Sequence, residues 1–268
     1  MDKDMIVARR LAVIVTLRCT LKCKLCCNCL PFYKETPPIV SKEEIFRDMD
    51  KAFQIFDKIE WFQFVGGELF MHPELDAILE RSFQYVDQFD KIILMSNGTL
   101  MPKESVLDVL EAHKGYFEIQ MSDYGPLSHQ IREMEAEFDR RGIPYVTKRF
   151  YGDIQYYGGW VDCGGFDDRG QSEKEVADKF HNCWQVSLAN YHMYRGKIHS
   201  CIRSLFGKDL GLVDVPEEEF IDINNEQLTL EEMRERVRCF NSGPLYSCRF
   251  CGGFDSKNSK RYPAAEQV

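Results

Sequence analysis

The sequence has 268 residues, 44% hydrophobic and 29% charged, which is the composition of an ordinary folded protein. A net charge of -9 at pH 7 argues against duplex nucleic acid and anionic membrane surfaces as partners, since both attract basic proteins. The N-terminus lacks the layout of a signal peptide, and its apolar run, residues 11–15, is far too short to span a bilayer. We therefore expect a cytoplasmic protein with no nucleic-acid or membrane partner.

Strand and helix patterns alternate along the first part of the chain. Residues 11–17 are rich in Val, Ile and Leu and carry no charge, which predicts a strand, and Ser41 with Glu44 forms a capping box that opens a helix. Further strands are expected at about 61–65, 92–95, 116–121 and 144–150, with helices from about 73, 102 and 127. These βα units predict an α/β fold, an incomplete (β/α)6-type TIM barrel whose loops at the carboxyl ends of the strands carry the chemistry.

The alternation of strand and helix patterns stops after residue 150. Residues 151–170 are rich in Gly, Tyr and Asp and predict an exposed loop, and a short helix is expected to follow near residues 173–180. Residues 184–193 and 197–202 are expected to pair as a hairpin around Gly196.

The last part of the chain predicts a second, smaller domain. Thr229 opens another capping box, before a helix that ends near Cys239. We expect a partial barrel over residues 1–180 and a hairpin-plus-helix domain that binds a cluster over residues 181–268, with a frayed tail from Asp255.

The eleven cysteines fall in two groups. Five lie between Cys19 and Cys29, the other six lie from Cys163 onward, and none lies in the long stretch between them. Since an intracellular chain keeps its thiols reduced, metal binding or catalysis is favoured over disulfides.

Cys19, Cys23 and Cys26 stand in the spacing C-x3-C-x2-C directly after the first predicted strand. Three thiolates on one loop hold three irons of a four-iron cluster and leave the fourth iron open. The motif resembles that of the radical S-adenosylmethionine (SAM) family. The resemblance implies that SAM binds the open iron and is cleaved to a 5′-deoxyadenosyl radical, which abstracts a hydrogen from the substrate.

The motif departs from the family pattern at Leu25, where an aromatic residue is usual. Cys27 and Cys29 also crowd it, so that spacing alone leaves the ligand register open. A structural zinc site is the alternative, although zinc usually takes four ligands from paired motifs.

The resemblance extends to the ends of three later strands. A GGE segment follows the second strand, where glycines let the backbone approach a ligand and a carboxylate pairs with the ammonium group of SAM. A Ser-Asn-Gly segment ends the third strand and a serine ends the fourth. The resemblance assigns SAM binding to Gly66, Gly67, Glu68, Ser96, Asn97 and Ser122.

The second group contains Cys183 and Cys201 in the pattern C-x12-G-x4-C, followed by Cys248 and Cys251 in C-x2-C. It resembles the SPASM extension of radical SAM enzymes in its shortened form, called twitch. The resemblance implies a second [4Fe-4S] cluster with four cysteine ligands, suited to electron transfer, and a flavodoxin- or ferredoxin-type electron donor. A four-cysteine zinc knuckle is the alternative.

The main hypothesis is a dehydrogenase that oxidises a hydroxyl or amine carbon of a sugar or aminocyclitol-like small molecule. Hydrogen abstraction leaves a substrate radical that must lose one more electron, which an auxiliary cluster accepts. Aromatic faces stack on sugar C–H surfaces, and aspartates accept hydroxyl hydrogen bonds. The loop residues that fit such a substrate are Tyr151, Tyr156, Tyr157, Trp160, Asp162, Asp167 and Asp168.

Two other reactions stay open. A radical epimerase of a sugar or peptide residue needs a thiol hydrogen donor, for which Cys163 and Cys239 are candidates, although Cys239 also fits a buried helix position. A ribosomal-peptide maturase acts on a peptide substrate, but only about ten residues precede the first strand, too few for a leader-binding domain. The alternative outside catalysis is a zinc scaffold or an electron-transfer protein.

Overall fold

The protein is built on one eight-stranded sheet. The computed structural model describes residues 5–156, 160–185, 190–255 and 257–268. The strands are β1 (Val7–Thr16), β2 (Lys58–Gly66), β3 (Phe89–Ser96), β4 (Phe117–Asp123), β5 (Tyr145–Arg149), β6 (Asn190–Tyr194), β7 (Lys197–His199) and β8 (Phe220–Asp222). The helices are α1 (Lys42–Ile55), α2 (Leu75–Ser82), α3 (Glu104–Ala112), α4 (Ile131–Arg141), α5 (Glu173–Asn182), α6 (Ile202–Asp209) and α7 (Leu230–Cys239).

The strand order is β5-β4-β3-β2-β1-β6-β7-β8. The pairings from β5 through β1 to β6 are parallel, and those of β7 with β6 and β8 are antiparallel. β1 lies near the middle and is buried without interruption from Leu11 to Thr16, as expected of a parallel strand covered on both faces. Parallel strands place their carboxyl ends on one edge, so the loops after β1 to β4 meet there.

The sequence predicted the five strands of the first part and the helices between them, and a mixed α/β fold with a mainly parallel sheet is confirmed. The capping box at Ser41 is present, with its hydroxyl accepting from the backbone N–H of Glu44. In the residues described, β5 and β8 are the two ends of the sheet. Curvature into a partial barrel stays a prediction.

Two elements, α6 and β8, were not predicted. Helix α6 directly follows the hairpin, and its N-cap, Cys201, makes no side-chain capping bond that would mark the start in the sequence. Strand β8 has only three residues, too few to show a periodicity of two.

The predicted hairpin is β6–β7. Arg195 and Gly196 form its turn with φ of 48° and 70°, as a two-residue turn between twisted strands requires. Asp48 of α1 accepts a hydrogen bond of 2.7 Å from the Gly196 N–H, which fixes the turn to the first helix. Residues 186–189, at the start of the predicted hairpin, lie outside the described residues.

The proposed division near residue 180 stays a prediction. Strand β6, which follows that point, pairs with β1 over Arg10–Val13 and so continues the same sheet. None of the helices in the described part of the chain is long and apolar enough to cross a membrane.

The hairpin places His192 opposite His199, and both imidazoles are buried. Burial, with Arg10 and His199 nearby, lowers the pKa of His192 well below its ordinary value. Burial, with Lys208 and Lys197 nearby, lowers the pKa of His199 to about 3. The native state therefore keeps both rings neutral at pH values where the unfolded chain binds protons.

We expect the free energy of unfolding of the metal-free, reduced protein to fall between pH 7 and pH 5. Each histidine whose pKa is depressed in the native state lowers the free energy of unfolding as the pH drops below its unfolded-state pKa near 6.5. The loss is about 2 kcal/mol per histidine at pH 5. Urea unfolding at several pH values measures the fall. His192→Leu should make the stability change between pH 7 and pH 5 less unfavourable by about 2 kcal/mol, and the exposed His129→Gln should leave it unchanged. The same pH dependence in His192→Leu and in the wild type would contradict the assignment.

Candidate metal centres and cofactor site

The first cysteine group lies on the loop that follows β1. Cys23 is buried with Leu21 and Ala265 in a small apolar cluster, and Cys19 and Cys26 pack against that cluster. Burial raises the pKa of Cys23 to about 11 and also raises those of Cys19 and Cys26. The three predicted ligands are thus together, and their thiols are held protonated until a metal replaces the protons.

The GGE segment continues the pairing of β1 with β2 past the end of the sheet. The Gly67 N–H donates to the Thr16 carbonyl, and the Glu68 N–H to the Arg18 carbonyl, both at 2.8 Å. A Cβ atom on Gly66 would lie 2.0 Å from the Thr16 oxygen, and one on Gly67 would lie 2.1 Å from the Arg18 oxygen. The backbones approach too closely for any residue except glycine.

The Glu68 carboxylate connects this segment to the end of β3. It is 0% exposed and accepts from the Ser96 hydroxyl at 3.0 Å and from the Asn97 N–H at 2.8 Å. Burial raises its pKa to about 7. The Asn97 amide in turn donates to Cys19 Sγ at 3.5 Å. Glu68 therefore holds the Ser96–Asn97 segment against the cysteine loop, while direct pairing with the SAM ammonium group stays a prediction.

Ser122 reaches the same site through Tyr124. Burial raises the pKa of Tyr124, against the opposing effect of Ser122. The Tyr124 ring packs edge-on against Trp160 at 5.8 Å between centroids, and both rings border the buried cluster that contains Cys23. The cysteine loop, the segment after β4 and Trp160 thus share one apolar wall.

The end of the chain crosses the cysteine loop, and the prediction of a frayed tail is wrong. The Lys24 N–H donates to the Glu266 carbonyl at 2.7 Å, and the Val268 N–H to the Lys22 carbonyl at 2.9 Å. The Gln267 amide donates to Cys23 Sγ at 3.5 Å. Backbone pairing and the burial of Ala265 hold this segment, which has too few residues to show a pattern in the sequence.

The second cysteine group lines one cavity. Cys183, Cys201, Cys248 and Cys251 all contribute to its wall. Burial raises the pKa of Cys248 to about 11 and raises that of Cys201 further. Four cysteines far apart in sequence therefore line one cavity, and they are the four that the family resemblance implies.

Two cations also line this cavity. Lys179 Nζ donates to the Cys251 carbonyl at 2.6 Å. Arg203 donates to the Gly165 carbonyl at 2.7 Å and to Cys29 Sγ at 3.5 Å. Its guanidinium thus joins the loop of the first group to the wall of the second. Positive charge near bound thiolates stabilises the negative charge that a metal–thiolate cluster carries.

The two predicted hydrogen donors are separated. Cys163 lies beside the second site, where the Gly252 N–H donates to its carbonyl at 2.8 Å and its thiol donates to the Gly253 carbonyl at 3.8 Å. Cys239 is exposed at the end of α7, and its Sγ is 3.9 Å from a Glu235 oxygen, so the prediction of a buried helix position is wrong. Neither assignment as a donor is tested by this placement.

The residues of the predicted substrate loop lie in different surroundings. Trp160 packs beside the first cysteine group, whereas Tyr151 and Tyr156 are exposed. Asp168 pairs with Arg249 at 3.3 Å. The other aspartates, Asp162 and Asp167, are exposed, and Tyr157 lies outside the described residues.

The donor sets suit iron–sulfur clusters. No group of three or more His, Cys, Asp or Glu side chains, within the residues described, is close enough to hold a single metal ion. A four-iron cluster makes a different demand, because each thiolate binds its own iron and the sulfurs need not meet at one point. Three thiols on one loop and four around one cavity fit that demand.

The sequence analysis missed several residues that shape the two sites. Tyr124 carried a usable signal, since it follows a predicted strand end by two residues. Lys179 and Arg203 lie within four residues of Cys183 and Cys201 in the sequence. That closeness to two candidate ligands was a usable signal for both cations. Gln267 gave no signal at all, because its role depends on a pairing across almost the whole chain.

Comparisons with known proteins agree with this fold. No protein-family model matches the chain. AlbA, the antilisterial bacteriocin subtilosin biosynthesis protein of Bacillus subtilis (strain 168), is 34% identical over 102 residues, which are 37% of this chain and 20% of AlbA. The match thus spans about a fifth of this curated relative.

Two solved structures share the fold over nearly the whole chain. BtrN in complex with AdoMet and 2-DOIA has a TM-score of 0.52 at 14% identity and covers 100% of both chains. Tagged anSMEcpe with bound AdoMet has a TM-score of 0.52 at 14% identity and covers 98% of this chain and 89% of its own. AlbA, BtrN and anSMEcpe are radical SAM enzymes.

Gly66→Ala should destabilise the protein by about 3 kcal/mol or more, because the new Cβ meets backbone that has no room to move. Thermal and urea unfolding measure the loss. Gly115→Ala is the matched control, since nothing lies within 4 Å of a Cβ at that position. Equal stability of the two variants would contradict the close pairing of the GGE segment with the end of β1.

Removal of residues 265–268 should expose Cys23. We expect iodoacetamide to label Cys23 on the order of tenfold faster in the metal-free truncated protein, because its cover opens only by local unfolding in the full chain. Peptide mass spectrometry follows each thiol. Cys239, which is already exposed, should react equally in both proteins, and an unchanged Cys23 rate would show that the segment does not protect it.

Proposed function

We propose that the chain is a radical SAM enzyme, which cleaves SAM reductively and abstracts a hydrogen from its substrate. The observation that carries the proposal is the placement of Cys19, Cys23 and Cys26 together at the carboxyl edge of the parallel strands, against the segment that Glu68 and Asn97 hold. The sequence match to AlbA and the fold shared with two AdoMet-bound structures support it.

Cys19, Cys23 and Cys26 would hold the first [4Fe-4S] cluster. Bound there with one open iron, the cluster supplies the electron that cleaves SAM. The protein keeps this loop in place from two sides, through the Asn97 amide on Cys19 and the Gln267 amide on Cys23. The surrounding apolar wall of Leu21, Tyr124 and Trp160 excludes water and so protects a reactive intermediate from quenching.

Cys183, Cys201, Cys248 and Cys251 would hold a second [4Fe-4S] cluster. With four cysteine ligands it supplies a one-electron acceptor or donor and no open iron. Lys179 and Arg203 stand beside these thiols, and their charges favour acceptance of an electron, since the reduced state is more negative. Four thiols also fit a zinc knuckle, which metal analysis distinguishes.

The reaction that best uses both sites is oxidation of a hydroxyl or amine carbon on a sugar or aminocyclitol-like small molecule. The substrate loses a hydrogen atom and then one electron and one proton to become a carbonyl or imine. The second step needs a one-electron acceptor, which the second site would provide. BtrN, whose structure contains 2-DOIA as well as AdoMet, shares the fold of this chain over its whole length.

A ribosomal-peptide maturase is the second candidate, favoured by the similarity to AlbA, whose name describes subtilosin biosynthesis. Epimerisation draws less support from the geometry. Cys163 lies beside the second site and Cys239 faces outward, so neither thiol borders the wall around the first cysteine group in the residues described.

Metal analysis of anaerobically reconstituted protein is the first test. We expect about eight irons per chain and no zinc. Incubation with a reductant and SAM should release 5′-deoxyadenosine. A protein that binds zinc and no iron would refute the radical SAM assignment, and about four irons with one zinc would refute the second cluster alone. Aminocyclitols, sugars and a subtilosin-like precursor peptide then serve as trial substrates, with product mass as the readout.

Variants at each site should separate the two functions. Cys23→Ala should lose about four irons and all 5′-deoxyadenosine formation, because SAM then has no open iron. Cys248→Ala should lose a similar amount of iron but keep slow 5′-deoxyadenosine formation without oxidised product. Cys239→Ala, at an exposed thiol, is the control for both. Full product formation by Cys248→Ala would exclude the second site from the reaction.

A further inference from the structure

Three polar side chains lie next to one another where β1 pairs with β6. Arg10 of β1 is the register partner of Asn190, and His192 lies two residues further along β6. Register partners of parallel strands point to the same face of a sheet, and so do residues two apart on one strand. Arg10, Asn190 and His192 therefore share one face over two neighbouring strands.

Each of these side chains has a buried nitrogen without a hydrogen-bond partner in the described part of the chain. The atoms are Nε of Arg10, Nδ2 of Asn190 and Nε2 of His192. Asn190 is 2% exposed and His192 is 5% exposed. A buried polar atom without a partner destabilises the folded protein, and nearly all such atoms in folded proteins are paired. Three of them at adjacent positions indicate that another molecule supplies the missing acceptor.

The chemistry of the three nitrogens favours a negatively charged acceptor. The Asn190 nitrogen and the Arg10 guanidinium can only donate hydrogen bonds. Arg10 forms no ion pair with a carboxylate of the described residues, and a cation partly removed from water without a counter-ion is unfavourable. A carboxylate accepts from the planar donors of arginine in pairs. It would satisfy Arg10 and leave lone pairs for the two β6 side chains.

The face that carries Arg10 leads to the candidate SAM site. Arg10 is also the register partner of Trp61, and Trp61 is the partner of Lys91. The pairing of β3 with β4 continues this face to Ser122, since side chains alternate with a period of two. Ser122 is one of the residues that the family resemblance assigns to SAM. A molecule held by Arg10 thus lies on a face that ends beside that site.

We propose that Arg10, Asn190 and His192 bind a carboxylate of the substrate and so select an acidic sugar or cyclitol. The inference rests on the proposed function, because it takes this face as the surface on which the substrate lies. It narrows the substrate class from sugars and aminocyclitols in general to those that carry an acid group. The three side chains bind and orient the substrate and take part in no bond change.

The stability of the ligand-free protein tests the unpaired charge. Arg10→Met keeps the length of the side chain and removes the guanidinium, so the thermal midpoint of the metal-free, reduced protein should rise by about 3 °C. Arg9→Met, at the exposed neighbouring residue, is the matched control and should leave the midpoint unchanged. A lower midpoint for Arg10→Met would make Arg10 a structural residue and would overturn the proposal.

Calorimetric titration of the reconstituted protein with SAM tests the ligand. Glucuronate and quinate serve as carboxylate probes, with glucose and myo-inositol as their neutral counterparts. The acids should bind on the order of tenfold more tightly or better, and Arg10→Met should remove that preference while Arg9→Met keeps it. Equal binding of acids and neutral molecules, or a preference that survives Arg10→Met, would overturn the proposal.

Two further measurements separate other roles of Arg10. Loss of iron from Arg10→Met would show that its charge serves the cysteine loop, and loss of SAM affinity would show that it binds the carboxylate of SAM. Either result would overturn the assignment to the substrate. Failure of the proposed function itself would be visible in the wild type, as a protein without iron or without 5′-deoxyadenosine formation, and the stability of metal-free Arg10→Met depends on neither.

Discussion

The pairing of backbone beyond the ends of β1 and β2 is the constraint on which the first site depends. Gly66 ends β2 opposite Thr16, and Gly67 follows it opposite the chain after β1, both at a separation that excludes a Cβ atom. This pairing sets the height of Glu68 relative to the cysteine loop. Glu68 then fixes Ser96 and Asn97, and Asn97 contacts Cys19. One close contact between two strands is thus connected to the Cys19 thiol through a chain of hydrogen bonds.

The two cysteine sites differ in what surrounds their thiols. The first is a loop at the edge of a sheet, covered by an apolar wall, where burial raises the pKa values of Cys23 and Cys26. The second gathers its thiols from distant segments around Lys179 and Arg203. An apolar cover suits a centre where a reactive species must be shielded. Fixed positive charge suits a centre whose task is to change its charge.

The sequence predicted the parts whose patterns are local. The βα order, the capping boxes at Ser41 and Thr229 and the turn at Gly196 each depend on a few neighbouring residues. The grouping of the ligand cysteines followed from spacing and a family resemblance. Contacts across long separations carried no such signal, as with Gln267 on Cys23. The exposure of Cys239 was also missed. The helical period of α7 does not show how much of its last turn other residues cover.

The segment that pairs with Lys22 and Lys24 lies about 240 residues further along the chain. A growing polypeptide folds as it leaves the ribosome, with earlier parts settling first. One side of the cysteine loop therefore stays uncovered until residues 265–268 have been synthesised and have paired with it. A cluster bound at this loop, as proposed above, would be inserted most readily before residues 265–268 pair with it. Any assembly factor would then act on the open loop and leave before that pairing covers it.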